Sequence, residues 1–117
     1  MILVDSSMWI DHFRRAHPGL VEALSQMRVV SHPFILGELA CGHLPARPRV
    51  MPLLAKLPSV PPVSNQEAMA FIGAHGLAGA GLGWVDVHLL AAARLARVHV
   101  WTRDKALSRA AARLGLA

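Results

Sequence analysis

At 117 residues the chain is long enough to bury a core and short enough for one domain, expected to span residues 1–117. A hydrophobic share of 54% with only 16% charged residues excludes disorder, and a single cysteine excludes an internal disulfide. The formal charge of +5 favours a polyanion such as RNA or DNA, or an acidic protein, as partner. The apolar share is high for a protein standing alone, so a partner is expected to cover some apolar surface. No basic leader precedes an apolar stretch, and the apolar region Leu89–Ala93 is much too short to span a bilayer. A cytoplasmic protein with no membrane contact is therefore expected. Cys41 reads as a small buried apolar side chain.

In chain order, Met1-Ile2-Leu3-Val4 is a short apolar run stopped by Asp5-Ser6-Ser7, the pattern of a buried strand in a parallel sheet. A helix is expected from about Met8 to Arg15, broken at Pro18-Gly19, and a second from about Leu20 to Met27. Arg28-Val29-Val30-Ser31 reads as a strand, after which His32-Pro33 opens a helix that ends near Gly42. Pro45, Pro48 and Pro52 predict a loop, followed by a short apolar helix at about Met51–Leu57. A weak strand is expected near Val60–Val63, and Ser64 or Asn65 caps a helix reaching about His75. The segment from Gly76 to Gly83 is a flexible connection; its spacing fits neither the dinucleotide nor the P-loop fingerprint. A long helix from about Val85 to Arg97, a strand over Val98–Thr102 and a helix over Asp104–Leu114 complete the chain. Strand and helix alternate, which predicts an α/β fold with a mainly parallel sheet between helices.

In open α/β sheets, ligands bind outside the carboxyl ends of the strands. Four of the seven acids fall there: Asp5 after the first strand, Glu38 on the helix after the second, Asp86 at the start of the long helix, and Asp104 after the last strand. Each has an ordinary account as a cap, a turn residue or an exposed helix residue. Together, in a chain with so few acids, they suggest one acidic site within a basic surface. Asp11, Glu22 and Glu67 read as solvated. Two carboxylates about 5 Å apart repel by roughly 3 kcal/mol at an effective dielectric of about 20, so such a cluster calls for protons or a cation. With oxygen donors only, the cation is Mg²⁺ or Mn²⁺, which suits phosphoryl chemistry. Trp9, Trp84 and Trp101 lie beside apolar residues and are expected in the core. His32, His43, His88 and His99 form no metal-binding pattern.

Over essentially its whole length the chain resembles PIN-domain proteins, and among them the VapC-type toxins of toxin–antitoxin pairs. The resemblance rests on Ile2-Leu3-Val4-Asp5-Ser6-Ser7 with Trp9-Ile10-Asp11, on Ser31-His32-Pro33 with Gly37-Glu38-Leu39, on Trp84-Val85-Asp86 through Ala93, and on Trp101-Thr102-Arg103-Asp104-Lys105-Ala106-Leu107. It implies a three-layer α/β/α fold and a metal-dependent endoribonuclease leaving 5′-phosphate and 3′-hydroxyl ends. It implies Asp5, Glu38, Asp86 and Asp104 as the acidic catalytic and metal-binding quartet, with Ser6 and Thr102 as supporting hydroxyls. Leu107 stands where the family often has an aromatic, which implies altered packing. Asp5, Glu38 and Asp86 are expected as principal ligands to Mg²⁺ or Mn²⁺, with Asp104 behind them or on a second ion. Arg103 and Lys105 are candidate phosphate contacts or ordinary solvated charges. A VapB-type antitoxin, docked on the helices at Pro33–Ala40 and Met51–Leu57, and a homodimer are also implied. The competing reading is a catalytically silent PIN-like module that binds RNA or a partner.

Overall fold

The structure, a computed structural model, describes residues 1–117. Strand β1 (Ile2–Val4) leads into helices α1 (Ser6–Arg14) and α2 (Pro18–Ser25), then strand β2 (Val29–Val30) and helices α3 (Pro33–Cys41), α4 (Arg47–Ala55), α5 (Asn65–His75) and α6 (Trp84–Ala96). Strand β3 (His99–Trp101) and helix α7 (Lys105–Arg113) close the chain. The strands form one parallel sheet in the order β2-β1-β3. Ile2 pairs with Val29 on one side and with His99 on the other, and Val4 is opposite Trp101. The ladder continues one step past the strands, where the Asp5 N–H donates to the Trp101 carbonyl at 2.9 Å. Asp5 and Thr102 are thereby set side by side at the carboxyl edge.

Leu3 and Val4 have no exposed surface, so helices cover both faces of β1 in an α/β/α arrangement. Helix α6 is buried continuously from Val87 to Ala93, apolar all round as a core helix must be. It packs on α5 and β3, while α7 also packs on β3 and drives Leu107 fully into the core. Helix α5 starts with a reciprocal cap between Ser64 and Glu67 and stops at Gly76, whose φ of 61° is left-handed. Glu67 is therefore engaged in a cap, not merely solvated.

The fold departs from several expectations. No strand forms at Val60–Val63; one parallel bridge joins Ser31 to Ser59, and Pro61 and Pro62 have no N–H to extend it. Helix α4 starts at Arg47, inside the expected loop, because Pro48 occupies its first turn, where no N–H is needed. It continues through Pro52 at the loss of one internal bond, anchored by the buried Leu54. Likewise α1 begins at Ser6, and α2 begins with Pro18. Cys41 is exposed, since it ends α3 where the chain leaves the core. Trp9 is buried at 3% exposure and Trp101 half-buried, but Trp84 is 41% exposed at the first position of α6.

Candidate active site

Asp5 is the most buried acid, 6% exposed at the end of the central strand. Its backbone caps α1 but its side chain makes no capping bond, so the carboxylate is available for other contacts. Ser7 and Thr102 each donate a hydroxyl to Asp5 Oδ2 at 2.8 Å. Those bonds use both hydroxyl protons, and the 3.1 Å separation of Ser7 from Thr102 follows from sharing one acceptor. The two hydroxyl oxygens accept in turn: Arg103 N–H donates to Ser7 and Asp104 N–H to Thr102, both at 3.0 Å. The β1–α1 and β3–α7 turns are thus tied together around one carboxylate oxygen. Sequence reasoning singled out Ser6 and Thr102 as supporting hydroxyls but not Ser7, two of whose partners, Thr102 and Arg103, lie far along the chain.

Ser6 has a different role. Its hydroxyl donates to Glu38 Oε1 at 3.1 Å, and its 3.5 Å distance to Asp5 Oδ1 is too long to compete. Glu38 lies on α3, one turn beyond the helix start held by His32, whose Nδ1 accepts the Phe34 N–H at 2.9 Å. Asp86 lies in the first turn of α6, where its Oδ2 accepts the Gly83 N–H at 2.9 Å. Asp104 caps α7, its Oδ1 accepting the Leu107 N–H at 2.9 Å. The capping roles expected of Asp86 and Asp104 are therefore real, yet each engages one oxygen only.

One pattern covers all four acids. Each carboxylate commits one oxygen to the fold, while Glu38 Oε2, Asp86 Oδ1 and Asp104 Oδ2 have no protein donor and Asp5 Oδ1 has only the long 3.5 Å contact from Ser6. None has a basic partner: the one salt bridge in the molecule joins Arg103 to Asp11 at 3.4 Å. Arg103 is to that extent accounted for, and Asp11 is paired.

The four acids also feel one another. Burial raises the Glu38 pKa; the Ser6 hydrogen bond opposes this, and the charges of Asp5 and Asp86 add to the rise. Burial likewise raises Asp86, against the Gly83 N–H and with help from Asp5 and Asp104. Asp86 is therefore the member coupled to two neighbours of its own and to Glu38. No three Asp, Glu, His or Cys side chains stand close enough to form a ready-made metal cage. The donors are nonetheless hard oxygens only, the chemistry that suits Mg²⁺ or Mn²⁺. Glu38 and Asp104 are exposed, each held by one hydrogen bond, whereas Asp5 is buried and held by two.

Behind the acids, buried His32 and His88 hold the starts of α3 and α6 together. The Phe34 ring lies 5.1 Å from His32 and 4.9 Å from His88, and Trp84 lies 4.6 Å from His88. His32 Nε2 and both His88 nitrogens have no hydrogen-bond partner. Burial, followed by the neighbouring His88, lowers the His32 pKa to about 4, so its imidazole is neutral. Both imidazoles pack between the starts of the helices that bear Glu38 and Asp86.

The PIN domain family model matches residues 2–113. The chain belongs to the PIN-domain family. It is 43% identical over 118 aligned positions to Ribonuclease VapC32 from two Mycobacterium tuberculosis strains, CDC 1551/Oshkosh and ATCC 25618/H37Rv. Each alignment covers 100% of this chain and 95% of the relative. The fold also matches a crystal structure of PAE2754 from Pyrobaculum aerophilum with a TM-score of 0.64 at 14% identity, over 93% of this chain and 83% of that one. For a PIN domain, then, the observed α/β/α architecture is the expected one. No helix of this PIN domain is long and apolar enough to cross a membrane.

Proposed function

We propose that this PIN domain is a Mg²⁺- or Mn²⁺-dependent endoribonuclease toxin of the VapC type, acting in the cytoplasm as a single domain over 1–117. The observation that carries the reading is the set of four carboxylates without a basic partner, each with one oxygen bound within the fold and the other with no protein donor closer than 3.5 Å. A cluster of that kind is costly to hold and gains from a cation. Its likeness to Ribonuclease VapC32 supports RNA as the substrate.

Asp5, Glu38 and Asp86 would hold the ion, with Asp104 beside Asp86. The ion supplies Lewis acidity and an acidified water. Asp5 serves as the fixed post because Ser7 and Thr102 lock its rotamer, and Ser6 orients Glu38 toward it. Water adds in line to phosphorus, the bond to the 3′ oxygen breaks, and that oxygen takes up a proton. A VapB-type antitoxin would restrain the enzyme and a homodimer is expected. Phe34 on α3 and Leu53 on α4, 37% and 59% exposed, offer apolar contacts on the two helices expected to receive the antitoxin.

The test is cleavage of an RNA substrate with Mg²⁺ or Mn²⁺ by wild type, Asp5→Asn and Asp86→Asn. Metal-dependent cleavage that both variants lose supports the enzyme. Cleavage unchanged in the variants, or absent in wild type under every metal condition while RNA still binds, makes the chain a silent binding module.

A further inference from the structure

Helix α7 concentrates positive charge in a manner that opposes its own stability. Lys105, Arg109 and Arg113 follow one another at four-residue spacing, on one face and about 6 Å apart along the axis. Two like-charged pairs at that spacing are mutually repulsive. Lys105 also places a cation in the first turn, the positive end of the helix dipole. From residue 103 onward Asp104 is the one acid, and its carboxylate is turned to the cap and to Asp86. Lys105 and Arg109 are exposed with no ion-pair or hydrogen-bond partner, whereas Arg113 donates to the His75 carbonyl at 2.8 Å.

Lys105 and Arg109 border a groove of about 450 Å³ lined by Thr102, Arg103, Asp104, Lys105, Ser108 and Arg109, with no apolar side chain among them. Thr102 and Asp104 belong to the acidic site, so groove and site are continuous. Local choices that cost stability and cluster beside a reactive centre mark a ligand. Here the ligand must be a polyanion.

We infer that the RNA strand runs from the acid cluster along the first two turns of α7, its phosphates over Lys105 and Arg109. This rests on the ribonuclease reading and adds to it the direction of the strand. The contacts are to the backbone, so they supply affinity rather than base preference. The opposite edge of the sheet carries Arg28 and Arg97, just before β2 and β3, and serves as a control of equal charge.

The experiment measures binding of a fluorescent single-stranded RNA oligonucleotide to the Asp86→Asn protein across a range of KCl concentrations. Lys105→Gln with Arg109→Gln should flatten the plot of log affinity against log salt by about 1.4, since each lost contact removes about 0.7. Lys105→Arg with Arg109→Lys should keep the original slope, which separates charge from folding. Arg28→Gln with Arg97→Asn should leave it unchanged. Equal slopes for the α7 pair and the parent, or equal flattening by the α7 and control pairs, overturn the track. Cleavage by wild type, tested separately, decides the ribonuclease reading: a protein that cuts RNA yet shows equal slopes loses only the track.

Discussion

Thr102 donates its hydroxyl to Asp5 Oδ2 at 2.8 Å, although 97 positions separate the two residues in the chain. Ser7 reaches the same oxygen from the other side. Two neutral donors, rather than a cation of the protein's own, hold this buried carboxylate. Thr102→Val should cost about 1.5–3 kcal/mol, the worth of a hydrogen bond to a charged group plus the loss of an acceptor for the Asp104 N–H. Ser7→Ala should act similarly, and the double variant should lose more than the sum, because either hydroxyl alone still satisfies the shared acceptor and only the double variant leaves it bare. Urea unfolding of the four proteins measures this; strict additivity would show the hydroxyls to be independent.

Asp86→Asn should abolish cleavage, by about 100-fold or more, while stabilising the protein at neutral pH. The sign follows from the raised Asp86 pKa. A carboxyl that binds its proton more tightly in the folded state favours folding at low pH, and that advantage is lost as pH rises through its folded pKa. An amide never ionises and keeps the Gly83 cap through its carbonyl oxygen. The gain should shrink on acidification, once Asp86 itself is protonated. Equal melting temperatures for the two proteins at pH 7 would argue against strained carboxylates.

His32 imposes the opposite trend. Its pKa near 4 in the fold lies below the ordinary 6.5, so the unfolded chain takes up the proton first as pH falls. Stability should be unaffected by this group above pH 6.5 and should decline between 6.5 and 4, by as much as about 3 kcal/mol. His32→Asn retains a capping acceptor for Phe34 and should remove that decline, whatever its baseline stability. Denaturation curves at pH 7.5, about 6 and about 4.5 compare the slopes. An identical pH dependence in the variant would exclude His32 as its source.

Adding Mg²⁺ or Mn²⁺ should raise the melting temperature of wild type, because a ligand at about 100 times its Kd contributes about 2.7 kcal/mol. Asp5→Asn and Asp86→Asn should lose most of that rise, and a chelator should reverse it. Calorimetric scans with and without metal measure the effect. A rise of the same size in both variants would move the ion elsewhere on the surface.

Much of this protein was legible in one dimension. Ile2-Leu3-Val4 announces a strand buried on both faces, and the alternation that follows dictates a parallel sheet. An acid after each strand exit is a linear pattern because a parallel sheet brings all its carboxyl ends to one edge. Helix starts read well where a side chain caps its own backbone, as at Ser64 and Asp104. Prolines misled because their effect depends on position: Pro48 starts α4, while Pro61 and Pro62 forbid the strand expected there.

What tertiary structure alone decided is which oxygen of each acid is occupied. Ser7 looks like a simple turn residue until the sheet register brings Thr102 beside Asp5, and only then do two hydroxyls meet one carboxylate. Trp84 is exposed and His88 is buried, although both lie on the same stretch of apolar helix, because orientation against α3 is a property of packing rather than of composition. Local chemistry is written in neighbours along the chain; the availability of a charge depends on neighbours in space.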